Sequence, residues 1–369
     1  MADTIIAKQL RTEVTEDGSL RLSLAEQELS PPTGDGIVVE IAATPINPSD
    51  LGLLLGPVDP ADARQEGDAL VFPIPPQRMG ALAARTGQSM PVGNEGAGVV
   101  VQAGPEAQAL LGKTVALAGG SMYATHRAAR AREAMVLPDG VSAEQGASAT
   151  VNPMTALGMV EVMRAEGHKA LVHTAAASNL GQMLNRICLA DGVPLVNIVR
   201  SAEQVRLLKD QGAAHVLDST AEGFGRALVE ALAATGATLA FDAVGGGPLA
   251  GRILGAMEQA ASAGQAFSRY GSTAHKQVYI YGRLDLRPTE LAANAGFAWS
   301  VSGFLLTPFL AADPARAQRM RERVMAELTT TFASGYTETI GLTDALRPEV
   351  LQRYARRATG EKFLIDPRR

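Results

Sequence analysis

The run His173-Thr174-Ala175-Ala176-Ala177-Ser178-Asn179-Leu180-Gly181-Gln182-Met183 is the stretch best suited to grip a charged ligand. The residues around Val172 read as a buried strand, the alanines and Ser178 as a tight turn, and Leu180 onward as a helix. Such a turn aims backbone N–H groups at a helix N-terminus toward a diphosphate. It departs from the G-x-G-x-x-G spelling, since only Gly181 remains of the three glycines. Ala175, Ala177 and Ser178 are still small enough for close backbone approach, and Asn179 tolerates positive φ. Alone, the turn is equally compatible with tight packing. The next strand adds weight. About 20 residues on, where an NAD-selective fold carries a carboxylate for the ribose 2′-hydroxyl, this chain has Val199-Arg200-Ser201. A carboxylate there would repel a 2′-phosphate, whereas Arg200 can hold one in a bidentate fork. NADPH is therefore favoured, against the alternative that Arg200 is an ordinary surface arginine.

The elements that must position these residues follow two regimes. Over 4–45, TIIAKQL, LRLSL and GIVVEIAAT alternate apolar and polar residues between Gly, Pro and Asp turns, which predicts strands. The stretch 51–90 reads as a long loop, a candidate lid or insertion. After Asp139 the pattern changes. Ser142 followed by Gln145 spells a capping box, opening one helix through the residues of SAEQGASATVNPMTALGMVEVMRAEG. Strands and amphipathic helices then alternate from ALVHT to QVYIYG, the signature of a parallel sheet covered on both faces. The tail is mixed, with helices in DPARAQRMRERVMAELTTTF and TDALRPEVLQRYARRATG and strands in TETIGL and KFLID.

A chain of 369 residues is long for one core, so two domains are expected. The formal net charge of −5 gives no reason to expect nucleic acid or a membrane as partner. The start, MADTIIAKQL, lacks the basic region and apolar core of a secretion signal, and no apolar run is long enough to span a bilayer. A soluble cytoplasmic protein is the economical reading. The single cysteine, Cys188, reads as a small core residue. The five histidines, His126, His168, His173, His215 and His275, show no metal-ligand spacing, so no metal is expected.

Further segments carry a family resemblance. INPSDLG (46–52), GNEGAGVVVQAG (93–104), TVNPMTALGM (150–159), HTAAASNLGQM (173–183), VNIVR (196–200), FDAVGGG (241–247), YIYGR (279–283) and GFLL (303–306) occur in this order. Together they resemble the zinc-independent medium-chain dehydrogenase/reductase superfamily, in its quinone-oxidoreductase and 2-enoyl-thioester-reductase branch. The resemblance implies an α/β fold: a GroES-like, β-rich catalytic domain from 1–149 and 302–369, and a Rossmann doubly wound parallel-sheet domain from 150–301.

It also implies roles. Asn152 and Thr155 would lie along the nicotinamide half of NADPH. Ala177, Ser178, Asn179, Leu180 and Gly181 would hold the diphosphate, and Arg200 and Ser201 would meet the adenosine phosphate. Tyr281, Gly282, Arg283 and Leu284 would line the nicotinamide wall with Phe304, Leu305 and Leu306, and Lys362 would contact the cofactor. For each, local packing or capping is the competing reading. Zinc enzymes of the superfamily have a histidine where Asn94 stands in GNEG. Without a Lewis acid, alcohol dehydrogenation is disfavoured. Hydride addition to a conjugated C=C needs only donors for the developing enolate and a proton for Cα. Enoyl-thioester reductases of the branch place a proton-donating tyrosine shortly after the INPxD motif, but no tyrosine occurs from Leu51 to Met90. Tyr123, Tyr281 or water are the substitutes. Asn47 is the polar group expected near the substrate carbonyl or nicotinamide, if it does not simply cap its own turn.

The expected activity is NADPH-dependent reduction of an α,β-unsaturated carbonyl or enoyl thioester. The alternatives are NADPH:quinone reduction and, in another class, NADPH binding with little turnover. Arg269, Tyr270 and Lys276 in the long segment 258–277 are further residues that could approach cofactor or substrate. A homodimer is expected, with VYIYG as the pairing edge strand.

Overall fold

The computed structural model describes residues 3–291, 293–356 and 358–369. The chain divides into two compact units, one of residues 1–151 and 321–369, the other of 152–320.

The first unit is β-rich. Its strands before the second unit are β1 (Ile5–Val14), β2 (Ser19–Leu29), β3 (Gly36–Pro45), β4 (Arg64–Glu66), β5 (Ala69–Pro73), β6 (Ser89–Pro91), β7 (Glu95–Ala103), β8 (Thr114–Ala118), β9 (His126–Arg130) and β10 (Met135–Val136). One sheet has the order β4-β5-β2-β1-β6. In the other sheet β3 pairs antiparallel with both β7 and β9. GIVVEIAAT is apolar on both faces because β3 lies inside that sheet, with Ile37, Val39 and Ile41 buried.

The stretch 51–90 is not a lid without structure. It contains α1 (Pro48–Leu54) at its start, β4, β5, α2 (Pro76–Leu82) and β6. Leu70 and Phe72 are buried in the core that also holds Leu20, Leu22, Leu51 and Leu54. The flanking prolines and glycines hid a short strand whose partner, β2, is distant in sequence.

The helix expected from Ser142 is broken. The capping box forms, with Ser142 N–H donating to Gln145 Oε1 at 2.9 Å, but α3 (Ala143–Gly146) stops and α4 (Asn152–Ala165) starts afresh. The amides of Thr150 and Val151 turn aside to a buried carboxylate, Glu95, and Pro153 has no N–H to continue the ladder.

The second unit is a doubly wound sheet. Its strands are β11 (Leu171–Thr174), β12 (Leu195–Val199), β13 (His215–Asp218), β14 (Leu239–Asp242), β15 (Lys276–Ile280) and β16 (Trp299–Gly303). Their order is β13-β12-β11-β14-β15-β16, and every adjacent pair is parallel. Numbered within the sheet this is 3-2-1-4-5-6, the Rossmann order. The helices α5 (Asn179–Asp191), α6 (Ala202–Asp210), α7 (Phe224–Thr235) and α8 (Leu249–Ser262) connect strands. Local rules account for α5: Ser178 caps its start, Gly192 ends it at φ 66°, and Cys188 is buried on its inner face.

Two expectations change here. The segment VYIYG is not an edge, since β15 is flanked by β14 and β16. The edge on that side of the sheet is β16, whose WSVSG spelling is too polar to stand out. The boundary drawn between 301 and 302 falls inside that strand, and the second unit runs on through α9 (Leu306–Ala312) to Met320. The helix α10 (Pro314–Ala326) leads the chain back to the first unit, where β17 (Glu338–Gly341), α11 (Pro348–Ala355) and β18 (Phe363–Asp366) complete it. Among the described residues, no helix is long and apolar enough to cross a membrane.

Candidate functional site

In the second unit the strand order reverses between β11 and β14, the switch point where open α/β sheets bind ligands. The loops after these two strands are tied by one buried carboxylate. Asp242 accepts from Thr174 Oγ1 at 2.6 Å and from the amides of Val244 and Gly245. Thr174 Oγ1 in turn accepts from the Ala243 amide at 2.8 Å. The β14 loop is thereby held against the β11 turn.

That turn is tight. Ala175 has φ 50°, a left-handed conformation that costs an alanine energy and places the following residues at the head of α5. Ser178 Oγ accepts from the Gly181 amide at 3.2 Å. A Cβ on Gly181 would sit 2.2 Å from the Ala176 carbonyl oxygen, so the surviving glycine is required by backbone packing. Ala177 and Leu180 are buried. The small side chains leave a thirteen-residue helix whose N-terminus is not obstructed by bulk, a donor set that fits a diphosphate.

Arg200 follows β12, next to the turn, because the Ala176 amide bonds to the Ile198 carbonyl at 3.2 Å. Its amide is taken by Gln204. Its side chain is exposed and has no hydrogen-bond or ionic partner among the described residues. Ser201 caps α6 through its hydroxyl, the local role that competed with ligand binding. Asn152 and Thr155 lie in the first turn of α4.

Tyr281 follows β15. Its hydroxyl meets His173 Nε2 at 2.7 Å, and the two rings stack. Burial pushes the Tyr281 phenol up and pulls His173 down to about 3, so both stay neutral. Gly282 is needed beside the β14 loop, where a Cβ would approach the Ala243 carbonyl oxygen to 2.6 Å. The Leu284 amide donates to that same carbonyl, and Arg283 lies between. Phe304 packs edge-on against Phe241 and Tyr279, the packing role weighed for it. Leu305 is exposed and Leu306 begins α9. Lys276 does not approach a ligand. It is fully buried, bonded to Glu258 at 2.5 Å. Arg269 lies over the Tyr270 ring, which meets Phe297, all on the exposed 263–275 loop and its neighbour.

The first unit holds a second constellation. Asn47 is the N-cap residue of α1, but its side chain makes no cap hydrogen bond. Asn47 Nδ2 donates to Glu95 Oε1 at 2.8 Å. Glu95 Oε2 accepts from the Thr150 amide and hydroxyl, each at 3.0 Å, and from the Val151 amide at 2.7 Å. Glu95 is fully buried. Asp50, also buried, accepts from the Asn47 amide at 2.8 Å and the Asn94 amide at 2.9 Å. Burial pushes its carboxyl up to about 7 against those hydrogen bonds. Tyr123 is wholly buried, and its hydroxyl donates to the Pro45 carbonyl at 3.3 Å. Desolvation and Asp50 push that phenol well up, so Tyr123 stands as a core group. Lys362 donates to Ser148 Oγ at 2.6 Å, and Ser148 shares a 2.8 Å hydrogen bond with Tyr336.

Sequence reading passed over Glu95, Asp50, Ser148, Tyr336 and Asp242. Glu95 carried a signal, a lone charge at the start of the buried run GAGVVV. Tyr336, in ASGYT, carried none.

The Asp50 shift has a testable sign. The unfolded carboxyl titrates near about 3.9, the folded one at about 7. Its contribution to stability is therefore present below about pH 4 and lost as pH rises through 7. Asp50→Asn should flatten that decline in urea midpoints measured from pH 4 to 8. An unchanged slope would refute the assignment.

No protein-family model matches the chain. It is 28% identical over 285 residues to a mycocerosic acid synthase-like polyketide synthase of Mycobacterium tuberculosis, covering 76% of this chain and 12% of that protein. It is 30% identical over 158 residues to the quinone oxidoreductase of Pseudomonas aeruginosa, covering 42% and 49%. It is 26% identical over 204 residues to the mitochondrial enoyl-[acyl-carrier-protein] reductase of Rattus norvegicus, covering 53% and 48%. The matches thus span half or less of the length of these curated relatives. Among solved structures, a candidate NADPH:quinone reductase from Mesorhizobium loti superposes with a TM-score of 0.74 at 27% identity, over 100% of this chain and 99% of that one. The Etr1p complex with NADP and crotonyl-CoA superposes with a TM-score of 0.69 at 19% identity, over 98% and 100%, a likeness of fold. The class so defined is an α/β protein with a GroES-like β-rich unit and a Rossmann unit. Within it, the chain resembles the quinone-oxidoreductase and enoyl-reductase branch of the medium-chain dehydrogenase/reductases.

Proposed function

We propose that the chain is an NADPH-dependent reductase that delivers hydride to the β-carbon of an α,β-unsaturated carbonyl or enoyl thioester, without zinc. One observation carries the cofactor: the exposed guanidinium of Arg200, beside the switch-point turn and without a partner among the described residues. Ala177 to Gly181 would hold the diphosphate at the head of α5, and Arg200 the 2′-phosphate. Asn152, Thr155 and the residues 281–284 would line the nicotinamide half. Bound there, the dihydronicotinamide supplies the hydride. Zinc is left out because Asn94 spends its side chain on Ser49 at 3.1 Å and offers no imidazole. Asn47, tethered by Glu95, is a fixed dipole suited to orient a carbonyl or a carboxamide.

The absence of a tyrosine over 51–90 favours a second reading, quinone reduction, in which both protons end on oxygen and exchange with water. Crotonyl-CoA, an enone and a quinone, each followed by NADPH loss, separate the two, and quinone-only turnover would sink the first. No turnover with tight NADPH binding would leave a cofactor-binding protein. A homodimer is part of the proposal, with β16 as the pairing edge, and a monomer by light scattering would count against it. Arg200→Ala should weaken NADPH binding roughly 10- to 100-fold, the weight of a lost charge-assisted pair, and leave NADH unchanged. An unchanged NADPH/NADH affinity ratio would end the arginine argument.

A further inference from the structure

One row of side chains across the Rossmann sheet is polar in its middle. Val216 of β13, Asn197 of β12, His173 of β11 and Phe241 of β14 are successive register partners, so they leave one face of the sheet side by side. Val216 and Phe241 close the row at its two ends and offer no polar side-chain atom. Between them, Asn197 and His173 are 0% exposed. Asn185 reaches the row from α5, is 2% exposed, and accepts at Oδ1 from Asn197 Nδ2 at 3.3 Å.

Three atoms of this group are left over. His173 Nδ1, Asn185 Nδ2 and Asn197 Oδ1 are buried and have no hydrogen-bond partner among the described residues. A buried polar atom stripped of water without a replacement destabilises the fold. The leftover set does not depend on how the amides are turned. Where one hydrogen bond joins two carboxamides, one gives its NH2 and the other its carbonyl, so one carbonyl and one NH2 remain in either orientation. Nor does it depend on the His173 tautomer. Burial pulls the ring down to about 3, so it is neutral, and a neutral Nδ1 either donates or accepts. Its other nitrogen, Nε2, is engaged by the Tyr281 hydroxyl at 2.7 Å. A single water accepts from the spare NH2, donates to the spare carbonyl, and keeps a proton and a lone pair for either form of the imidazole. The group carries no charge to hold an ion, and its burial leaves no entry for a larger ligand.

We propose that a buried water is a built-in ligand of the Rossmann unit, held by Asn185, Asn197 and His173 between α5, β12 and β11. By engaging Nδ1 it fixes the imidazole that meets the Tyr281 hydroxyl through Nε2 and stacks on the Tyr281 ring at 5.8 Å. The two asparagines are thus positioning residues for Tyr281, which opens the stretch 281–284. Any consequence for the cofactor rests on the reductase reading; the water itself does not.

A crystal structure of the wild-type chain at atomic resolution tests the site. A density peak is expected within about 3.2 Å of His173 Nδ1 and of both asparagine amides. No peak there, or an imidazole bonded directly to either amide, overturns the proposal, and this result stands even if no variant folds. In solution, oxygen-17 magnetic relaxation dispersion counts waters of long residence. The double variant Asn185→Leu, Asn197→Leu should lose one long-lived water. Tyr281→Phe leaves all three partners of the water in place and should lose none. An unchanged count in the double variant, or a lost water in Tyr281→Phe, overturns the proposal. The phenol carbon resonance of selectively labelled Tyr281 should shift in the double variant, and an unmoved resonance overturns the positioning role. A wild-type protein that holds the water but binds no NADPH overturns the reductase reading alone.

Discussion

Glu95→Ala is expected to lower the unfolding free energy by about 4 kcal/mol, because it leaves several buried donors without an acceptor. The carboxylate has no exposed surface and takes hydrogen bonds from Asn47, Thr150 and Val151. The Thr150 hydroxyl has an alternative, a 3.4 Å contact to the Leu117 carbonyl. The Asn47 side-chain amide and the Thr150 amide would lose the acceptor they use in a protein interior. The same change frees Asn47, so a carbonyl-orienting role for that amide would be lost together with stability. Glu95→Gln is the control. It keeps one oxygen for the Thr150 and Val151 amides but turns an NH2 group toward a donor, and should cost about half as much. Urea denaturation measures both. A loss under 1 kcal/mol for Glu95→Ala, on the scale of an exposed hydrogen bond, would show that water reaches the site.

Lys276→Met is expected to cost about 3 kcal/mol, since it strips one partner from a buried ion pair. Lys276 Nζ donates to Glu258, to Ser272 Oγ at 3.2 Å and to the Ala274 carbonyl at 3.0 Å. Glu258 also receives Ser262 Oγ at 2.6 Å and the Ser272 amide at 2.7 Å. Gly271 (φ 85°) and Gly296 (φ 65°) close around this carboxylate, where a Cβ on either would approach it to 2.7 and 2.9 Å. The pair thus fastens the 263–275 loop to α8 and β15. Burial alone would raise the Glu258 carboxyl, but the bonds from Lys276, Ser262 and Ser272 prevail and hold it at about 2. An unfolded glutamate titrates near about 4.3. The contribution is therefore present above that value and lost as pH falls toward 2, and the variant should lose much of this acid sensitivity. Thermal melts at pH 3 and pH 6 test it. Equal cost at both pH values would mean that Lys276 acts by packing alone.

Local chemistry was read well from the chain. The Ser142–Gln145 box marks a helix start through contacts a few residues apart. Arg200 was legible because a Rossmann unit places the end of its second strand at a nearly constant distance past the turn. The break at 147–151 was not legible, because its cause is Glu95, some fifty residues away in sequence. Likewise β16 was missed because a polar edge strand has no period of its own and is defined by its neighbour. Lys276 looked like a free cation until its position beside Glu258 was known.

The alternation of strand and helix from ALVHT to QVYIYG and the two-unit plan were legible in the sequence alone, as were the turn and the arginine proposed to meet the cofactor, because each depends on periodicity or short spacing. The tertiary structure alone decided which polar groups are spent and which remain for chemistry. Tyr123 and Tyr281 are alike in composition to Tyr336, yet the first is sealed in the core, the second is bonded to His173, and the third ends a hydrogen-bonded chain. A side chain's proton has a use only if its neighbours leave it unclaimed, and those neighbours lie far off along the chain.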